Sequence, residues 1–202
     1  MIGKILGKRG TRQNGPTVRV AAFGKHPAWN DHVEDIGLES EPLVDLRRNL
    51  YVEGIGGNID SGAWDALEPA SRLEGFAHAF YRSAAGSMIV GRIWTSTDGV
   101  GRAKYPFVAA AEIANLDPPD AIHVAMPALI DLERACRSTQ QQQAVIGAVT
   151  ACADRLRLRV ARPATTDPTS TLDVLLRHPA LGPNHRGVER ILYQVQRDFG
   201  AF

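Results

Sequence analysis

Residues 87–113 read SMIVGRIWTSTDGVGRAKYPFVAAAEI: two apolar runs, 88–94 and 105–113, around a polar, glycine-bearing bend at 95–104. Val90, Ile93, Trp94, Tyr105, Phe107 and Val108 are β-branched or aromatic, the side chains that pack best on a pleated surface. Asp98-Gly99 is a turn signal, because glycine takes positive φ without a Cβ clash. The bend is too long for a two-residue hairpin. The stretch therefore predicts two neighbouring central strands joined by an ordered loop that carries Gly99, Gly101, Arg102 and Lys104.

The chain around this stretch has 202 residues, 44% of them hydrophobic, and a formal net charge of +1. That suits one domain with a real core. A charge near zero gives no support for nucleic-acid binding through phosphate neutralisation. Cys136 and Cys152 both fall in helical patterns, which argues for small buried core residues and against a disulfide framework or a four-ligand zinc site. No apolar run approaches the roughly 20 residues needed to span a bilayer, and the first residues contain no apolar core of secretory length. These readings predict a cytoplasmic protein with no membrane span.

Residues 1–16 are basic and glycine-rich and read as a flexible lead-in, with a single domain over 17–202. Residues 17–23 (TVRVAAF) alternate as a strand does. Pro27 disfavours helix at His26, so 24–27 reads as an extended turn. Residues 41–53 fit a helix with Ser40 as N-cap, Pro42 early, and Leu43, Leu46 and Leu50 on one face. Residues 54–62 (GIGGNIDSG) read as a loop, and 72–81 as a helix through Leu73, Phe76, Ala77 and Phe80. From Pro118 the pattern is helical. Ile122, Met126, Leu129, Ile130 and Leu132 mark one helix, which Pro127 should end or kink. Val145, Val149, Cys152 and Leu156 mark another. Residues 162–170 read as a connector, 172–177 as a short helix, 179–187 as a loop and 188–199 as a last amphipathic helix. Strands in the first half and helices in the second predict an α/β layered domain: a central mixed β-sheet covered by helices, with a helical C-terminal half.

Two clusters carry candidate chemistry. His26, Asp31, His32, Glu34 and Asp35 fall within ten residues. Imidazoles beside carboxylates suit a divalent metal, which would make His26, Asp31 and His32 the ligands of a metal-dependent hydrolase. The competing reading is a solvated loop in which His26 packs beside Pro27. Residues 97–104 (TDGVGRAK) place Arg102 and Lys104 beside glycines whose N–H groups could cradle an anion or nucleotide. No helix follows that loop, so the geometry of a phosphate-binding helix N-terminus is missing. No nucleophile–base pair is evident, no GxSxG occurs, and no cofactor is implied.

Two stretches together resemble the TagF (ImpM) family associated with bacterial type VI secretion. Phe23-Gly24-Lys25-His26-Pro27 with Asp31 is similar to that family's FGKxPxxxDF pattern. Residues 96–107, STDGVGRAKYPF, are similar to its SxDxxGRxYPL segment. The chain departs from the pattern at Asn30 and His32, and carries one more residue in GRAKYP. The resemblance implies an α/β domain with no established catalytic activity. It also implies a post-translational regulator of secretion-apparatus assembly that binds a scaffold protein containing a forkhead-associated domain. On this reading the two motif loops lie together and present Lys25, Trp29, Asp31, Arg102 and Lys104 to a protein partner. Substituting Trp29 and Arg102 together by alanine should then weaken capture and leave folding intact.

Overall fold

A computed structural model describes residues 15–68, 75–84 and 86–161. The described chain runs β1 (Thr17–Gly24), α1 (Glu41–Leu46), a π-helical segment (Arg47–Gly56), α2 (Gly57–Asp60), β2 (Ala77–Ala84), β3 (Ser87–Trp94), β4 (Phe107–Ala114), α3 (Pro118–Arg137) and α4 (Gln142–Val160). The four strands form one sheet in the order β1-β4-β3-β2. The two runs that flank the bend are indeed neighbours, and they are the two central strands. Every side chain of β3 is buried, as are those of β4 except Ala114. A strand covered on both faces reads as an unbroken apolar run, which is why this stretch was so legible.

The layered α/β architecture is as expected, but the sheet is antiparallel in every described pairing instead of mixed. Its two faces carry separate cores. On one face Val20, Val90, Trp94, Phe107 and Ile113 meet Leu129 and Leu132 of α3 and Val149 and Leu156 of α4. On the other, Phe23, Ile89, Ile93 and Val108 meet Leu43, Leu46 and Tyr51. The predicted α4 stripe is buried at each position. Cys136 and Cys152 are free thiols inside the first core. A buried ion pair straps α3 to the sheet: Arg92 of β3 donates through Nε (2.9 Å) and Nη2 (2.5 Å) to Glu133 Oε2.

The structure corrects several local readings. The 72–81 helix is a strand from Ala77 onward; 72–74 lie outside the described residues. Phe76, Ala77 and Phe80 fit one helical face, but cross-strand packing decides the outcome. The Phe80 ring lies over Gly91 of β3, filling the space a Cβ would take. Gly91→Ala should therefore overpack the second core and cost about 1–3 kcal/mol in urea unfolding. The expected 54–62 loop is helical through Asp60. There the carbonyl of Asn49 approaches Gly54 at a distance a Cβ would not permit, and Tyr51 O similarly crowds Gly56. Side-chain-free Cα atoms let the i−5 carbonyls close the wider turn. Pro127 neither ends nor divides α3. Ser40 occupies the N-cap position of α1, yet its hydroxyl accepts from no helix N–H and instead donates to Glu112 Oε2 (2.5 Å). The connector, loop and helices expected over 162–199 lie outside the described residues, as does most of the 1–16 lead-in.

Candidate docking site

The turn after β1 and the loop between β3 and β4 sit at the same end of the sheet, because β1 and β4 are adjacent and antiparallel. The ladder continues one residue past β1, where Lys25 N donates to Pro106 O at 3.1 Å. Gly99 N then donates to Trp29 O at 2.6 Å and ties the two loops directly. The Gly99 Cα is so close to Asn30, Pro27 and Trp29 that a side chain there would collide with them.

Asp98 is the hub. Its side chain is fully buried, and its Oδ2 accepts from Lys25 Nζ (2.9 Å) and Arg102 Nε (2.6 Å). Its Oδ1 accepts from the backbone N–H of Val100 (3.1 Å) and Arg102 (2.9 Å). Lys25 Nζ also donates to Asp31 Oδ1 at 2.6 Å. Arg102 reaches across to Asn30 O at 2.8 Å. One carboxylate thus fixes the conformation of its own loop and clamps it to the other. Burial works to raise the Asp98 pKa. The donors from Lys25, Arg102 and Val100 outweigh it and hold the carboxyl well below the usual carboxylate range. Asp31, mostly exposed, is also lowered, chiefly by its hydrogen bond to Lys25.

The five residues expected to face a partner divide into two groups. Lys25 and Trp29 are buried, at 3% and 7% exposure, and brace the loops from within. The outward set is Asp31, Arg102 and Lys104, joined by Val100 at the loop tip, which is 64% exposed. Asp98 and Val100 were missed. The available signal was an Asp followed by Gly-Val-Gly-Arg, the pattern of a carboxylate that accepts N–H groups from its own turn.

The cluster of early histidines does not assemble a metal site. His26 Nδ1 accepts from Ala28 N (3.1 Å), so Nε2 carries the proton and donates to Cys136 O (2.9 Å) at the end of α3. His32 instead sits on the surface beside Asp31, with its ring edge-on to Tyr51 and Tyr105. Among the described residues no group of three His, Cys, Asp or Glu side chains could hold a metal ion. The anion cradle fails for another reason: its cations are already paired, Arg102 with Asp98 and Asp31, and Lys104 with Asp65 at 3.0 Å. Burial pushes the Cys136 thiol up to about 12 and the Cys152 thiol to about 11. Neither is a nucleophile at neutral pH. Both should resist a thiol reagent in the native protein and react only when it unfolds.

The chain matches no family model, no curated protein and no solved structure. No helix among the described residues is long and apolar enough to cross a membrane.

Acid should destabilise the fold in two stages. Burial lowers the pKa of His26 and of His78, against an ordinary value of about 6.5. Below that pH the unfolded chain takes up protons that the native state refuses, so stability falls as pH drops. The lowered Asp98 carboxyl adds a second loss, which sets in as pH falls through about 3.9 and is complete only below the native carboxyl's own, much lower pKa. Urea midpoints measured from pH 8 to 3 should decline across the first window and begin to decline in the second, and His26→Gln should remove part of the first.

Proposed function

We propose that this chain is a non-enzymatic, cytoplasmic regulator of type VI secretion assembly, a TagF-like protein that acts by binding another protein. The observation that carries the reading is the clamp at Asp98. The two stretches that resemble the family lie 73 residues apart at their Lys25–Asp98 contact, and the same contact makes one rigid surface of them. The chain invests a buried lysine, a buried carboxylate and a close-packed glycine in presenting a few exposed groups: Asp31, Val100, Arg102 and Lys104. Rigid presentation lowers the ordering cost of association, and an arginine beside an apolar tip suits the centre of a protein interface. A reaction centre would need a nucleophile, base or metal set that these groups do not form.

The partner class that fits the resemblance is the scaffold with a forkhead-associated domain. The test is a titration of the purified chain with such a scaffold from a type VI system. Lys104→Glu combined with Val100→Asp should reduce affinity by a factor of about 100 or more. Because both side chains are exposed and neither takes part in the Asp98 clamp, the unfolding midpoint should shift far less than it does for buried substitutions. Unchanged affinity would exclude this face as the docking site.

A further inference from the structure

The two edges of the sheet are treated differently. The outer side of β1 is covered by its own chain: Ala22 and Ile36 exchange backbone bonds at 2.9 and 3.1 Å, and Val33 N donates to Gly24 O at 2.7 Å. Among the described residues nothing pairs with the outer side of β2. That strand is eight residues long, AHAFYRSA, in unbroken register with β3 and without proline or lysine. Exposed edges are ordinarily blunted by such residues, by bulges or by covering chain.

The groups facing outward can be identified. Thr95 N donates to Phe76 O at 2.8 Å, and the register pairs these two positions in line with Ala77 and Trp94. Backbone groups alternate sides along an antiparallel strand. His78, Phe80, Arg82 and Ala84 therefore bond toward β3, whereas Ala79, Tyr81 and Ser83 direct their N–H and C=O groups outward.

We propose that the open edge of β2 is occupied by β2 of a second copy, antiparallel about a two-fold axis at Tyr81, making one continuous eight-stranded sheet. The strand is self-complementary in this register. Tyr81 meets its own symmetry mate, Ala79 lies opposite Ser83, and Arg82, the one lysine- or arginine-type charge of the strand, falls opposite Phe80. No like charges meet, which is the condition an isologous pairing must satisfy. Outward groups at three positions on each copy give about six main-chain hydrogen bonds.

Sedimentation velocity of the full chain tests this. The wild type should form a dimer in the micromolar range. Tyr81→Asp keeps every backbone donor but brings carboxylates together at the axis; it should weaken the dimer by a factor of roughly ten or more. Ser83→Pro should do the same by removing an outward N–H while sparing the β2–β3 ladder. If the proline variant fails to fold, Tyr81→Asp decides alone. A monomeric wild type, whether because another protein's strand or this chain's own residues take the edge, overturns the proposal. So does a dimer that tolerates Tyr81→Asp.

Discussion

Trp29→Ala is expected to destabilise the protein by about 3–5 kcal/mol, the range for emptying a buried aromatic site. The indole belongs to the core that α3 and α4 form with the sheet. Its ring packs edge-on to His26 at 5.8 Å between centroids, and His26 packs in turn on Phe107 at 5.4 Å. Removing it opens a cavity beneath the tie from Gly99 N to Trp29 O, so the loop clamp loosens along with the core. Chemical denaturation reads the loss directly. The consequence for functional work is that a Trp29→Ala variant reports on the fold and not on the docking proposed for this face. The earlier expectation that alanine at Trp29 and Arg102 leaves folding intact does not survive the burial of Trp29. Val100 and Lys104, 64% and 66% exposed and outside the clamp, remain the informative positions.

Arg92→Met should cost a comparable amount, about 3–5 kcal/mol, because it takes from Glu133 its buried partner and leaves the carboxylate under-compensated within the core. Glu133 retains Arg137, whose Nε donates to Oε1 at 2.9 Å, but that arginine is half-exposed and screened by solvent. The diagnostic comparison is the double variant Arg92→Met with Glu133→Leu. If the loss arises from the orphaned carboxylate, the second substitution recovers much of it. If Arg92 matters only as packing, the double variant is at least as unstable as the single one.

The same logic applies at the Lys25–Asp98 clamp. Lys25→Met should destabilise, and Asp98→Asn added to it should cost less than it does in the wild type. Coupling of that kind separates a true clamp from two independent side chains.

The fold was legible wherever side-chain periodicity alone decides burial. The β3 and β4 runs and the Val145–Val149–Cys152–Leu156 stripe are one-dimensional patterns, and each is buried as read. Residues 77–84 were not legible, because Phe76 and Phe80 satisfy a helical spacing equally well and only Gly91, on the next strand, admits the Phe80 ring. The π-helical turn was hidden for a related reason: Gly54 and Gly56 look like loop punctuation until the carbonyls of Asn49 and Tyr51 are seen to need the space. At the site, the charges of Lys25 and Trp29's aromatic bulk suggested surface anchors. Their burial depends on Asp98 and on the helices behind them, partners distant in sequence, so no local pattern announces it. The convergence of the two loops could be anticipated; which residues brace and which present could not.

The claim on which the functional reading depends is that these braced loops are a docking face. The most direct test is calorimetric titration of the intact chain with the forkhead-associated scaffold of a type VI system, comparing wild type with Val100→Asp plus Lys104→Glu at matched folding. Saturable binding by the wild type and its loss in the variant are expected, with little change in unfolding midpoint. Absence of wild-type binding, or equal binding by the variant, would contradict that claim.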